Sequence, residues 1–286
     1  MTAIPRSYLF VPGDSERKIE RSAGSGADAV IFDLEDAVSA ARKDEARRLV
    51  RQRLNAGDRP FVRVNGLATG LCDGDLAAIV GGRPRGVLLP KCEGATDVAA
   101  LAERLTAAES RESVPQGSIG IIAIVTETAR GVLRLVADPP RHPRLFALMW
   151  GAEDLSADIG AFANRDASGA YRELPRLARS LCLLAAAEAN VLAIDAVDVR
   201  LDAPERLLEE AKAAAIDGFS GKAAIHPDQI APIHAAFTPS EEDRRWAEEV
   251  KRAFATAADM GVVRLDGRML DKPHLRQAER ILARCR

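Results

Sequence analysis

Residues 86–111, GVLLPKCEGATDVAALAERLTAAESR, join two periodicities in one short stretch. Gly86 to Pro90 carry no polar side chain, the pattern of a strand covered on both faces. From Ala95 onward Val98, Leu101, Ala102 and Leu105 fall at i, i+3, i+4 and i+7, one apolar stripe of an amphipathic helix. A doubly covered strand followed at once by a one-faced helix is the repeating unit of a parallel α/β fold. The unit recurs in both directions.

Seven further apolar runs mark strands: SYLFV (7–11), AVIFDL (29–34), FVRVN (61–65), IGIIAIV (119–125), LFALMW (145–150), VLAIDAV (191–197) and FSGKAAI (219–225). Each is followed by a segment with helical spacing, as where Ala46, Leu49, Val50 and Leu54 share one face. Eight such units in about 235 residues match the size of a (β/α)8 TIM barrel. An open doubly wound sheet is the alternative, but it usually has fewer units and a Gly-rich phosphate loop after its first strand, and neither G-x-G-x-x-G nor G-x-x-x-x-G-K-[ST] is present. The expected division is a barrel over residues 1–238 and a C-terminal helix–hairpin–helix extension over 239–286. Ser240 with Asp243 forms a capping box, Trp246, Val250 and Phe254 share a helix face, and Gly261 closes that helix. Asp266-Gly267 then marks a tight hairpin with positive φ at both turn positions, and a last helix runs through Leu275, Ile281 and Leu282. The extension's apolar face must pack on its own barrel or on a neighbour, so it is expected at a subunit interface.

Lys+Arg 40 against Asp+Glu 42 leaves a net charge of −2, no general attraction for nucleic acid or anionic membrane. No apolar run approaches the roughly 20 residues that cross a bilayer, and no signal-peptide core is present. Cys72, Cys92, Cys182 and Cys285 form no C-x-x-C pair, so they read as ordinary thiols of a cytoplasmic protein.

In a barrel of this kind the C-terminal strand ends form the rim of the active site. That rim holds Pro12-Gly13, the cluster Asp33, Glu35 and Asp36, then Arg63 and Asn65, Lys91, Glu127, Glu153 with Asp154, Asp195, and Lys222 through His226. Glu127 and Asp154, from adjacent strands, suit one Mg²⁺, which takes one or two carboxylates and completes its octahedron with substrate and water. Two other readings fit the same spacing: both acids could open the following helices, and Arg63 could simply pair with a rim acid. The acidic cluster has three readings: it binds metal-bound waters, it orients Arg63 and Lys91, or one or two of its members are structural salt-bridge partners. Lys91 as an imine former and Cys92 as a nucleophile find no supporting partner, His226 reads as a helix-start or core residue, and Lys222 is expected inside the barrel, balancing buried acids.

The ordered motifs LFVPG, FDLEDAV, RVNG, LPK, ETARGV, GAEDLSADIG, AIDAV, GFSGKAAIHPDQI, FTPSEED and LDGRMLDKPHLRQAERIL span nearly the whole chain. Together they resemble the citrate lyase β-subunit-like branch of the HpcH/HpaI aldolase superfamily. The resemblance implies a Mg²⁺-dependent carbon–carbon lyase, a homotrimer, acting on a CoA thioester of the citramalyl-CoA or malyl-CoA type. It places the metal ligands at Glu127 and Asp154, and the substrate-carboxylate and oxyanion partner at Arg63. Backbone at Pro12, Gly13, Gly151, Ala152 and Glu153 is implied to receive the substrate carboxylate. Asp271 matches an acid that reaches a neighbouring subunit's site and acts there as base; unaided, it reads as a surface residue after a hairpin. Arg17 and Lys18 are candidate CoA contacts, and Thr126 stands where many relatives carry an apolar residue. Thioester hydrolysis on the same metal site, or service as a subunit of a citrate lyase complex, are the alternatives the family offers.

Overall fold

The computed structural model describes residues 4–257 and 261–285. Eight strands, β1 (Ser7–Pro12), β2 (Ala29–Asp33), β3 (Phe61–Arg63), β4 (Gly86–Leu89), β5 (Gly120–Ile124), β6 (Leu145–Met149), β7 (Leu192–Asp195) and β8 (Gly221–Ala224), pair in parallel and in sequence order. Register between β1 and β8, with Tyr8 opposite Ala223, closes the sheet into the expected barrel. Helices α1 (Glu16–Ser22), α2 (Lys43–Asn55), α3 (Cys72–Ile79), α4 (Ala95–Arg111) and α5 (Ala129–Ala137) follow the first five strands. The sixth strand is followed by two helices, α6 (Glu153–Asp158) and α7 (Glu173–Glu188); α8 (Pro204–Asp217) and α9 (Ile230–Phe237) complete the ring.

Uninterrupted apolar strands are explained by two cores. Tyr8, Ile31, Phe61, Leu88, Ile122 and Ile194 fill the lumen, whereas Leu9, Phe32, Val62, Val87, Ile121 and Leu148 face the helices. Alternate residues of one strand are thus buried on opposite sides of the wall, and no solvent face remains to break the run with a polar residue.

Beyond the ring, α10 (Glu241–Thr256) opens with the capping box: Asp243 N donates to Ser240 Oγ at 3.1 Å and Ser240 N to Asp243 Oδ2 at 2.9 Å. The helix ends at Thr256, earlier than Gly261; residues 258–260 lie outside the described residues. Strands β9 (Val262–Leu265) and β10 (Arg268–Asp271) pair antiparallel around Asp266 (φ 46°) and Gly267 (φ 76°), the expected tight turn, and α11 (Lys272–Leu282) follows. These elements enclose a small core of their own, built on Ala247, Val250, Val263, Leu270 and Ala278. Arg284 Nη2, which donates to Phe219 O at 3.0 Å, ties the end of the unit back to the barrel.

Candidate active site

Asp33 and Arg63 are register partners at the ends of β2 and β3, so both side chains turn into the barrel mouth. Arg63 Nε donates to Asp33 Oδ1 at 2.8 Å and Nη2 to Oδ2 at 2.6 Å, a two-point clamp, while Nη1 lies 2.8 Å from Glu35 Oε2. Burial works against the guanidinium charge, but Asp33 and Glu35 overcome it and hold the group firmly protonated. Asp33 also accepts from the amides of Glu35 (2.8 Å) and Ala37 (3.2 Å), which folds its own loop around the clamp. Arg63 therefore does pair with rim acids, and the cluster orients it as the sequence suggests.

Lys91 continues the network. Its ammonium reaches Glu35 Oε1 at 2.6 Å, Asp36 Oδ2 at 3.2 Å and Asp154 Oδ1 at 3.6 Å. Burial lowers the lysine's proton affinity, but Glu35 outweighs it, so the net shift is upward. Such a lysine is a fixed cation and a poor imine former at neutral pH. Its backbone is left-handed, φ 50°, and its N–H donates to Glu127 Oε2 at 2.5 Å.

Below the rim lies a brace that the sequence did not reveal. Lys43 on α2 donates to the carbonyls of Leu34 and Glu35, both at 2.7 Å, and to Asn65 Oδ1 at 2.8 Å. Asn65 is in turn held through its backbone N and Nδ2 by Asp75 Oδ2 at 2.7 Å, and Arg47 Nε secures Asp75 Oδ1 at 2.8 Å. Asn65 is thus a scaffold residue. Lys43 lies in a charged helix start, KDEARR, whose letters suggest only a solvated first turn.

Glu127 is buried, and the helix-start reading of it is set aside by Thr128, whose hydroxyl caps α5 by accepting from Gly131 N at 3.0 Å. Asp154 does stand in the first turn of α6, half-exposed and facing Lys91. Burial pushes the Glu127 carboxyl up to about 8; the nearby Asp154 charge adds to the rise, and the Lys91 N–H, Lys91 and Arg63 oppose it. A buried carboxyl lifted by a second carboxylate is short of positive charge. Gly151 leaves room for it, because a Cβ there would come within 2.9 Å of Glu127 Cγ. Among the described residues no group of three or more His, Cys, Asp or Glu forms a metal cluster. Two hard carboxylates in one polar mouth fit Mg²⁺, which leaves most of its shell to water and substrate.

Of the backbone expected to bind substrate, two amides are already engaged: Gly13 N donates to Asp33 O at 2.8 Å and Gly151 N to Thr126 Oγ1 at 2.9 Å. Gly13 serves close packing, since a Cβ would lie 2.6 Å from Asp33 O. Ala152 and Glu153 open α6, where amides lack intrahelical acceptors; Glu153 Oε1 accepts from Asn164 Nδ2 at 2.8 Å. Pro12, Arg17, Lys18, Arg63 and His226 share a cavity of about 500 Å³ at the mouth. His226 starts the 3-10 turn Pro227–Gln229, accepting from Asp228 N, as the helix-start reading holds. Burial pushes the Cys92 thiol up to about 12, which leaves it inert as a nucleophile.

Lys222 does balance a buried acid, but on the helix-facing side of the barrel wall. Its ammonium donates to Asp195 Oδ2 and Ala196 O, both at 2.7 Å, and Asp195 Oδ1 accepts from Trp150 Nε1 (2.6 Å) and from Arg179 Nε of α7 (3.0 Å). Neither Asp195 nor Lys222 belongs to the mouth. Asp271 lies at the end of β10, half-exposed, with Oδ1 2.6 Å from His274 Nδ1. It stands on the C-terminal unit and is not brought to Arg63, Glu127 or Asp154 by any contact within one chain among the described residues.

The family model described as HpcH/HpaI aldolase/citrate lyase matches residues 6–227. Over 284 residues the chain is 38% identical to a citrate lyase subunit beta-like protein of Mycobacterium tuberculosis, covering 99% of this chain and 97% of that one. It is 32% identical over 293 residues to the mitochondrial citramalyl-CoA lyase of Rattus norvegicus, covering 97% and 85%. Among solved structures, protein CitE of M. tuberculosis in complex with magnesium, acetoacetate and coenzyme A superposes with a TM-score of 0.80 at 38% identity, covering 99% and 98% of the two chains.

Proposed function

The chain belongs to the HpcH/HpaI aldolase/citrate lyase family, and from that premise we propose that it is a Mg²⁺-dependent lyase cleaving a 3-hydroxyacyl-CoA of the citramalyl-CoA or malyl-CoA type to a 2-keto acid and a shorter acyl-CoA. The observation that carries this reading is the meeting of the buried Glu127, Asp154 and the clamped Arg63 cation in one barrel mouth. Glu127 and Asp154 hold the metal. When bound, Mg²⁺ supplies a Lewis acid that polarises the oxygens at the hydroxy-acid end of the substrate.

Arg63 faces that same end, held by Asp33 and Glu35 so that its charge needs no reorganisation as oxyanion character grows on the substrate. The amides of Ala152 and Glu153 receive the substrate carboxylate. The Asp271 carboxylate of a neighbouring copy takes the hydroxyl proton, the carbon–carbon bond breaks, and its electron pair passes to the carbon next to the thioester carbonyl. Asp271 then returns that proton to this carbon and completes the acyl-CoA. Arg17 and Lys18, exposed on α1 beside the cavity, receive the CoA phosphates.

The active form is a homotrimer in which the 239–286 unit of one copy covers the mouth of the next. Exposed Val262 and Met269 on the hairpin, at 43% and 78%, support this. The four free thiols suit the reducing cytoplasm, and among the described residues no helix is long and apolar enough to cross a membrane.

The test is incubation of the purified chain with Mg²⁺ and citramalyl-CoA, malyl-CoA or citryl-CoA, with and without EDTA, followed by mass analysis. A keto acid with a shorter acyl-CoA, lost with EDTA, is the expected result and names the acyl group. Free CoA with an intact hydroxydiacid would reassign the site to thioester hydrolysis. No turnover of any of the three would overturn the freestanding enzyme in favour of a subunit that works inside a complex.

A further inference from the structure

We propose that Thr126 is a positioning residue that sets the separation of the two metal-binding carboxylates, acting through paired hydrogen bonds between its hydroxyl and the backbone of Gly151. The inference rests on the reading of Glu127 and Asp154 as metal ligands.

Thr126 is fully buried and immediately precedes Glu127; Gly151 lies three residues before Asp154. The backbone ladder between the two strand ends includes Val125 N to Met149 O at 3.0 Å, and just past it the Thr126 side chain takes the place of a further rung. Its Oγ1 accepts from Gly151 N at 2.9 Å and donates to Gly151 O at 3.3 Å. One hydroxyl can serve as donor and acceptor at once, whereas a methyl group of the same size can do neither. The pair therefore closes the gap between the segments carrying Glu127 and Asp154 at the point where the strands part. Gly151 is drawn so near that a Cβ would meet Glu127 Cγ at 2.9 Å, so this link and the placement of the Glu127 side chain are one packing arrangement. A second tie, Ala129 N to Asp158 Oδ2 at 2.7 Å, joins the start of α5 to the end of α6 farther out and leaves the inner spacing to Thr126.

Mg²⁺ demands near-ideal octahedral geometry at about 2.0–2.1 Å, so a small change in carboxylate spacing weakens binding. Outer-shell partners of ligating groups typically carry a 10–100-fold effect on metal affinity. Replacing the hydroxyl with a methyl would also leave the Gly151 N–H without its acceptor and free the loop to move away from Glu127.

The experiment is a Mn²⁺ titration of the full chain, read by the electron paramagnetic resonance signal of free aqueous Mn²⁺, with no substrate and no turnover. Four proteins are compared: wild type, Thr126→Val, Thr126→Ser and Asp154→Asn. Thr126→Val is expected to weaken Mn²⁺ binding about tenfold, and Thr126→Ser, which keeps the hydroxyl, to bind as the wild type does. Should Thr126→Val fail to fold, Thr126→Ala makes the same test, since it too lacks the hydroxyl. Wild-type affinity in Thr126→Val, or equal losses in Thr126→Val and Thr126→Ser, would overturn the inference while Asp154→Asn still loses the metal. Unchanged Mn²⁺ binding in Asp154→Asn would remove the metal site itself and the inference with it.

Discussion

Asp33 grips Arg63 edge-on across adjacent strands, Oδ1 2.8 Å from Nε and Oδ2 2.6 Å from Nη2, with both side chains almost wholly out of solvent. The clamp has two effects. It holds the guanidinium in one plane at the mouth, and it commits the fold to a buried charge pair whose halves cannot be removed singly without cost.

Asp33→Asn should therefore cost stability as well as catalysis. Breaking one half of a buried pair typically costs about 3–5 kcal/mol; Glu35 still faces Arg63, so about 3 kcal/mol is expected, read from denaturant unfolding. Activity should fall by about 10²-fold or more because Arg63 loses the partner that aims it. Arg63→Lys should not rescue it, since an ammonium cannot match the two-point geometry. An Asp33→Asn chain with wild-type kcat/KM would show that Arg63 needs no clamp.

Asp195 makes the complementary case on the other side of the barrel wall. Burial opposes its charge, but Lys222 and Arg179 overcome it and hold the carboxyl below its ordinary value of 3.8. A depressed folded value means the stabilisation is fully present above the unfolded value and is lost as pH falls through the folded one. Asp195→Asn leaves the Lys222 ammonium buried without its counter-charge and should cost about 3–5 kcal/mol at pH 7. The gap to wild type should hold down to the ordinary Asp range and narrow below it, where the wild type loses its own charge. Unfolding curves from pH 7 to pH 3 check this, and a gap independent of pH would contradict it.

The barrel was legible because strands buried on both faces leave long apolar runs, and because Ser240/Asp243 and Asp266-Gly267 are local signals that need no tertiary context. The rim acids were legible by position. The side of the wall that Lys222 takes was not, since a strand apolar on both faces carries no alternation from which to choose. Nor could letters tell that the Gly13 and Gly151 amides are engaged by Asp33 and Thr126, because those bonds join loops 20 and 25 residues apart. Lys43 escaped for the same reason: its partners Leu34, Glu35 and Asn65 come together only when α2 packs beside the second and third strands.

Lys43→Met tests that brace. The variant keeps the length of the side chain but removes three hydrogen bonds, while the Leu34 carbonyl still accepts from Asn65 Nδ2 at 3.0 Å and the Glu35 carbonyl from Val38 N at 3.0 Å. A loss of about 3 kcal/mol is expected, given about 0.5–1.5 kcal/mol net for each of the hydrogen bonds removed. Glu35 is the shared anchor of Arg63 and Lys91, so catalysis should weaken although Lys43 touches no substrate. Wild-type stability together with wild-type turnover would show that the brace is ornamental.

The assignment of Asp271 to a neighbouring copy's site predicts complementation between two inactive chains. Arg63→Ala spoils the mouth of its own barrel but keeps a sound Asp271, and Asp271→Ala does the reverse. General acid–base groups typically contribute 10²–10⁴-fold, so Asp271→Ala alone should lose about 10²-fold or more in kcat. If the proton is delivered between copies, assemblies formed by mixing and re-equilibrating the two variants contain some mouths with an intact Arg63 served by an intact Asp271, and activity returns. If Asp271 served its own barrel, every mouth in the mixture would lack one of the two groups, and activity would stay at the level of the separate variants. The side-chain bond to His274 lies wholly within the C-terminal unit, so it travels with Asp271 and does not blur the comparison.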